Sequence, residues 1–252
     1  MGWLTLIGLD WLHAGENSLG TDPAADVALL AGPAIAGTIT VREGAAIADA
    51  TGDALRHEGR PVRKLRLTTD VDGEPTLLEL SALRFCVIER GGRLAVRTWD
   101  PEAPARKRFG GIPHFPVDAL WRIEAYVEPH TAGRVKVPDV LGDIEEQAFP
   151  GSVAFNVDGV THRLQALEGG DEGELWLVFA DATNGVETYG GGRFLYTAPP
   201  DPDGNVVIDF NMAYNPPCAF SPFATCPLPW QANRLPIRVE AGEQLPADTT
   251  DH

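Results

Sequence analysis

The side chains best suited to chemistry are concentrated in residues 187–243. This stretch combines an arginine after three consecutive glycines with a proline-rich tract carrying two cysteines and three asparagines. The tract has little hydrophobic periodicity, yet it is rich in aromatic residues, which argues against disorder. We therefore predict an ordered loop that lines a site, with these candidate ligand-binding residues: Arg193, Asp209, Asn211, Tyr214, Asn215, Cys218 and Glu243.

Two interpretations of the polar residues in this tract remain open. If the strand pattern continues through 209–212, Asp209 and Asn211 share one face, and Phe210 and Met212 lie on the other. A carboxylate and a carboxamide near Tyr214 would suit ligand binding or acid–base chemistry. The same groups could equally satisfy the backbone of the irregular loop behind them. The sequence does not identify catalytic residues.

Glycine-rich and acidic segments in the tract favour turns rather than anion or calcium sites. The glycines before Arg193 permit close backbone approach, but no helix pattern follows them, as a phosphate-binding loop requires. The "DPDG" segment lacks the later glutamate of a calcium loop. Read as a hairpin turn, it predicts that Arg193 lies opposite Asp209 in a charge-assisted pair.

The three cysteines do not form a recognisable metal or disulfide pattern. Cys218 and Cys226 lie too far apart in sequence for a typical zinc pair, and the histidines, His252 among them, are scattered. We predict no bound metal and no cofactor. Whether Cys218 and Cys226 pair, bind metal or stay free is open. Cys86 lies among apolar residues of a predicted strand and is expected to be inert core.

Composition excludes several classes of partner. With 36 acidic and 20 basic side chains, the chain carries a formal charge of −16. That field repels phosphate backbones and anionic lipid, so neither nucleic acid nor a membrane is an expected partner. No apolar run approaches the length of about 20 residues that spans a bilayer, and a secretory signal pattern is missing. A cytoplasmic location is therefore expected, and the oligomeric state stays undetermined.

Strand patterns dominate the chain. Alternating or continuous apolar runs predict strands in residues 62–67, 76–99, 121–127, 152–167 and 174–181. Paired turn residues predict hairpins at "RGGR" and "VDGV". Helical signals are limited to one turn after Pro116 and a short connector in residues 140–148. The sequence thus predicts an all-β protein of two packed sheet-rich lobes, sandwich-like or barrel-like, with few short helices.

The boundary between the lobes is predicted in residues 128–151, where turn residues cluster. This gives an N-terminal β lobe over 1–130 and a C-terminal β lobe over 131–252 that carries the polar tract, although the two could form one continuous domain. The tail over 240–252 is polar and is expected to fray.

The polar tract also resembles a known prokaryotic family, domain of unknown function 1684. That family carries T-Y-x-x-G-R-[FY]-L, then D-F-N-x-A-Y-N-P-x-C-A-[YF], then C-P-L-P-x-x-N-x-L and A-G-E. The matching stretches begin here at Thr188, Asp209, Cys226 and Ala241. The likeness extends upstream through 97–127 and 2–29. Members usually carry a segment before this point, which suggests a truncated or mis-called start, and whether the native chain starts upstream of Met1 is open.

A fainter likeness concerns residues 14–29, which are similar to the opening of forkhead-associated domains, β-sandwiches that bind phosphothreonine. Thr21 stands where those domains have their arginine, and the later S-x-x-H is missing. At most a sandwich fold follows by analogy.

Two functions follow from these patterns. The first is a soluble protein that binds, or acts on, a small molecule in a polar pocket built by residues 187–243. The alternative is a structural or protein-interaction β module in which the polar tract only locks its own loop. The family resemblance names no activity, so enzyme status is left open.

Overall fold

The computed structural model describes residues 1–170 and 173–246, with the side chains of residues 131 and 132 excepted. The predicted fraying of the tail therefore lies largely outside the described residues, as does His252. The described chain divides into two compact units, Met1–Phe109 and Gly110–His252. Strands dominate both units, and helices are short, which confirms the all-β prediction.

The first unit is a sandwich of two sheets. Its strands are β1 (Leu6–Trp11), β2 (Gly15–Gly20), β3 (Val27–Ala28), β4 (Gly37–Arg42), β5 (Ala45–Ala50), β6 (Leu55–His57), β7 (Arg60–Pro61), β8 (Lys64–Leu67), β9 (Leu78–Leu80), β10 (Leu83–Arg90) and β11 (Arg93–Trp99). One sheet has the order β1-β11-β10-β9-β6-β7 and the other β3-β2-β4-β5-β8. A single helix, α1 (Pro104–Arg108), follows.

Alternation along β10 decides what each face of the six-stranded sheet contacts. Phe85 and Val87 point into the core between the two sheets, where they join residues of both. Cys86 and Ile88 point to the other face, against Leu9 and two tryptophans. Cys86 is buried, as predicted, and burial raises the pKa of its thiol to about 11. The thiol is therefore neutral and unreactive at neutral pH.

The second unit is a strongly curved antiparallel sheet that forms a half-barrel. Its strands are β12 (Arg122–Pro138), β13 (Ile144–Val157), β14 (Val160–Gly169), β15 (Glu174–Phe179), β16 (Arg193–Thr197) and β17 (Asn205–Asp209). The order is β16-β15-β14-β13-β12-β17, so consecutive strands β16 and β17 form its two edges. Three aromatic rings pack together inside, with Phe210 between Phe155 and Phe179 at centroid distances of 5.5 and 5.4 Å.

Several local predictions can be compared with these elements. The hairpin at "VDGV" is confirmed by the pairing of Val157 with Val160, and that at "RGGR" by the pairing of Arg90 with Arg93. A 3₁₀ turn at Ala119–Trp121 follows Pro116, as expected. The connector helix over 140–148 is wrong, because a turn at 139–143 leads directly into β13. Among the described residues, no helix is long and apolar enough to cross a membrane.

Candidate functional site

Arg193 is the most deeply buried of the candidate residues. It begins β16, its side chain is fully buried, and its guanidinium lies over the ring of Phe179 at 5.3 Å. The preceding Gly192 has φ +90°, and a Cβ there would lie 2.6 Å from the Phe179 carbonyl oxygen. Only glycine fits that position, so the glycine run serves a tight turn into the strand.

The guanidinium of Arg193 binds one carboxylate and a row of backbone carbonyls. Its Nη2 donates to Asp181 Oδ2 at 2.7 Å and to the Val239 carbonyl at 2.9 Å. Its Nη1 donates to the carbonyls of Ala241 and, at 3.4 Å, Glu243. The arginine therefore ties the C-terminal segment to the interior of the sheet.

Both side chains of the Arg193–Asp181 ion pair are buried, so their charges are removed from water. Burial lowers the pKa of the Arg193 guanidinium, and Asp181 opposes that shift. The second carboxylate oxygen of Asp181 accepts hydrogen bonds from the amides of Thr183, at 2.8 Å, and Val239, at 3.2 Å. A buried pair needs such additional hydrogen bonds to offset its desolvation. The Arg193 Nε is buried and lacks a hydrogen-bond partner among the described residues.

The predicted pairing of Arg193 with Asp209 is wrong. Strand β16 pairs with β15, and β17 pairs with β12, so the turn at 198–204 connects opposite edges of the sheet rather than two paired strands. Asp181 takes the predicted role because it lies two residues after the end of β15, whose last residue, Phe179, pairs with Arg193. The sequence signal for it was weak, since an acidic residue just after a strand is common in ordinary solvent-exposed turns.

Asp209 and Asn211 form a local cap instead of a shared polar face. The strand ends at Asp209, and a 3₁₀ turn over Phe210–Met212 interrupts the alternation. Asp209 Oδ1 accepts from the Asn211 amide at 3.1 Å and from its side chain at 2.9 Å. The Asn211 carboxamide also bonds both the amide and the carbonyl of Asp118, at 3.0 and 2.9 Å. The predicted separation of faces over 209–212 is therefore wrong.

Asn215 and Glu243 hold the next part of the tract. The Asn215 amide donates to Glu243 Oε2 at 2.7 Å, and its Nδ2 donates to the Gln244 carbonyl at 2.8 Å. The Oδ1 of Asn215 is buried without a hydrogen-bond partner among the described residues. The other oxygen of Glu243 lies 4.0 Å from His114 Nε2, in a short antiparallel bridge between these residues.

Tyr214 closes the edge of the half-barrel. Its backbone amide and carbonyl both bond Phe194 of β16, each at 2.9 Å. Its ring lies parallel to Tyr196 at 6.4 Å and edge-on to Phe194 at 5.9 Å. Burial, with Tyr196 as the next contributor, raises the pKa of the Tyr214 hydroxyl. The phenol therefore stays neutral and functions as packing and hydrogen-bonding surface.

Cys218 and Cys226 lie close together and are not joined by a disulfide bond. The Cys218 amide donates to the sulfur of Cys226 at 3.1 Å. Burial, followed by the proximity of both thiols, raises the pKa of Tyr189 to about 12. The described residues contain no group of three or more histidine, cysteine, aspartate or glutamate side chains arranged to hold a metal. The arrangement offers two thiols and a neutral phenol.

Sequence reasoning missed Asn233 as a contact residue, although it lies in the tract. The side chain is completely buried, donates to the carbonyls of Val178 and Gln165 at 2.8 and 2.9 Å, and accepts from the Gln165 amide at 2.8 Å. It therefore joins the tract to β14 and β15. A buried asparagine in an aperiodic loop is the signal that could have identified it.

Three concave surfaces of the described residues have none of the seven candidates in their lining. In the second unit, one of about 670 Å³ is lined by residues including Arg122, Glu124 and Asp201. Another, of about 290 Å³, lies between Trp121 and Val157. The third, of about 440 Å³, belongs to the first unit, beside His57.

Fold and tract together define an all-β protein with an irregular C-terminal segment held by buried polar side chains. A family model described as "Protein of unknown function (DUF1684)" matches residues 107–244. The chain belongs to that family, as its motifs predicted. The match coincides closely with the second unit and does not reach the upstream likeness over 2–29.

Comparison with solved structures finds an uncharacterised protein of Haloarcula marismortui, determined by solution NMR. The two are 32% identical over 60% of this chain and 83% of the other, with a TM-score of 0.47. No curated protein matches the chain.

Proposed function

We propose that the protein is a structural and protein-interaction β module, in which the C-terminal tract is an internal clasp. One observation carries this proposal: the polar side chains of the tract are directed at the chain's own backbone. Arg193 binds carbonyls in residues 239–243, Asn211 binds Asp118, and Asn215 binds Gln244. Groups used in this way are not available to a ligand without unfolding part of the clasp.

A structural role also explains why these residue types are present. The segment after β17 has no long strand partner, so its backbone groups need side-chain partners when they are buried. The asparagine carboxamide has an acceptor oxygen and a donor nitrogen, so it can bond a backbone amide and a backbone carbonyl at once, as a neighbouring strand would. Asn211 and Asn233 each act in this way, by bonding an amide and a carbonyl of one residue.

The charge of the chain supports a macromolecular partner other than nucleic acid. A formal charge of −16 disfavours phosphate backbones and favours cationic protein surfaces. The module would act by presenting its surface, and its clasp would keep that surface rigid.

Native mass spectrometry combined with hydrogen exchange tests the proposal. The purified protein is expected to have the mass of the polypeptide alone. The Asn215→Ala variant is expected to lose amide protection in residues 241–245, because the Gln244 carbonyl loses its donor. A stoichiometric small molecule that disappears in a still-protected Asn215→Ala variant would refute the clasp.

A second candidate is a small-molecule site in the same tract. It is favoured by the buried Oδ1 of Asn215, an acceptor without a partner among the described residues, beside the partly exposed carboxylate of Glu243. A ligand with a hydroxyl or amine donor would satisfy that acceptor. The mass measurement above separates this candidate from the clasp, and no reaction is assigned to it.

A further inference from the structure

Three large apolar side chains are exposed on the segments that the Asn211–Asp118 hydrogen bonds bring together. Val117 is 86% exposed, Leu120 82% and Met212 68%. We call these three residues, together with the concavity beside them, the apolar end patch. Scattered apolar residues are normal on surfaces, but a group beside a concavity is typical of interaction sites.

The patch is fixed in place by the clasp. Asn211 bonds both backbone groups of Asp118, which lies between Val117 and Leu120 in the chain. The Asp118 carboxylate accepts from the Leu120 amide at 2.9 Å and caps the 3₁₀ turn. The rigid backbone reduces the entropy that a partner would have to remove on binding.

A concavity of about 290 Å³ adjoins Leu120. Trp121, Ile123 and Val157 provide its apolar lining. The Trp121 ring packs edge-on against the Phe210 ring, with a centroid distance of 5.8 Å. The volume suits one bulky apolar side chain rather than an extended ligand.

The rim of this concavity is acidic. Asp118 and Asp158 both line it and are both exposed, and its lining contains no basic residue among those described. Arg122 contributes to the separate concavity beside Glu124, because side chains alternate along β12. With the net charge of −16, this rim disfavours a second copy of the chain and favours a cation.

We propose that the apolar end patch binds a Lys/Arg-rich peptide segment of another protein, with one bulky apolar side chain inserted beside Trp121. The basic residues of the segment contact Asp118 and Asp158, and flanking apolar groups cover Leu120 and Val117. This inference rests on the proposed interaction role and adds the site and the chemistry of the partner.

Fluorescence anisotropy with a labelled probe peptide, acetyl-KRLFRK-amide, tests the site on the full chain. Binding is expected to weaken as salt increases, because exposed charges are screened. An otherwise identical acidic peptide, acetyl-EELFEE-amide, is expected not to bind. Leu120→Ser should weaken binding about tenfold, because Leu120 lines the concavity that receives the inserted side chain. Asp158→Asn should weaken it about threefold and reduce its salt dependence.

Ile144→Ser provides the matched control, since Ile144 is also an exposed aliphatic residue, at 64%, outside this patch. Equal losses for Leu120→Ser and Ile144→Ser, or equal binding of the acidic peptide, would overturn the site. Self-association that Leu120→Ser abolishes would overturn it in favour of a second copy. None of these variants alters a clasp residue, so failure here leaves the hydrogen-exchange test of the clasp unaffected.

Discussion

The two units bury different kinds of side chain. The first has a sandwich core of aliphatic residues and Phe85, and its strands satisfy one another's backbone. The second surrounds Phe210 with an apolar cluster that contains two further phenylalanines, but it also buries Asp181, Arg193, Asn215 and Asn233. Regular sheets pair their own backbone groups, whereas an irregular buried segment must obtain partners from side chains. The difference in composition follows from the difference in regularity.

Asn17 shows that the contrast is one of degree. In the first unit this completely buried side chain donates to the carbonyls of His13, Gly15 and Ile39 and accepts from the His13 amide. It lies within β2, opposite Ile39, and its side chain bonds the turn that leads from β1 into this strand. In both units, therefore, a buried asparagine bonds backbone groups beside an irregular segment.

The largest expected effect is at the buried ion pair. Arg193→Met should lower the free energy of unfolding by about 3–5 kcal/mol, because Asp181 is left as an unpaired buried charge. Asp181→Asn should cost a similar amount, and the double variant should lose less than the sum. Urea denaturation of the four proteins measures this. The exposed pair Arg163–Glu128 is the control, and Glu128→Gln should cost about 0–1 kcal/mol.

In the first unit, a comparable loss of stability is expected from a cavity in the core. Leu80→Ala, at a completely buried position between the two sheets, should cost about 2–5 kcal/mol. Hydrogen exchange should show faster opening of amides in β9 and β10. An equal increase in the clasp amides around Val239 would mean that the two units unfold together.

Removal of one clasp asparagine should have a smaller effect. Asn233→Ala removes the side-chain partner of the Val178 carbonyl and of both backbone groups of Gln165, and it should cost about 1–3 kcal/mol in total, because water entering the space left by the side chain replaces part of the lost bonding. Thermal denaturation with and without the substitution measures the sum. Asn205→Ala, at an exposed residue, is the matched control. Similar melting temperatures for both variants would contradict the clasp.

The smallest expected effect is the change in stability with pH that the Asp26 carboxyl causes in the first unit. Hydrogen bonds from the Ser18 side chain and amide lower the pKa of Asp26 to about 2 from 3.8. Because the folded value is depressed, the stabilisation is complete above about pH 4 and is lost as pH falls toward 2. An NMR titration of the Asp26 carboxyl should show this midpoint. Ser18→Ala should move the midpoint toward 3.8, and an unchanged midpoint would contradict the assigned cause.

Regular elements were predictable, and the clasp was not. The continuous apolar run in "ELWLVFAD" and the turn residues in "VDGV" are local features of the sequence, so β15 and the β13–β14 hairpin followed from local patterns. The partner of Arg193 depends on which strands become neighbours, and the order placed β16 and β17 at opposite edges. Local turn chemistry at "DPDG" carried no information about that order. The motif located the important residues without indicating what they bind.

The contacts of Arg193 cannot form until a later part of the chain has been synthesised. Its carbonyl partners at Val239 and Ala241 lie 46 and 48 residues further along the chain. At about 5–20 residues per second, the ribosome needs roughly 2–10 s to make that interval. Until then the Arg193 guanidinium stays hydrated, because the carbonyls that bond it in the folded protein have not been made. During that interval the nascent second unit cannot close the edge that Arg193 and residues 239–241 form together.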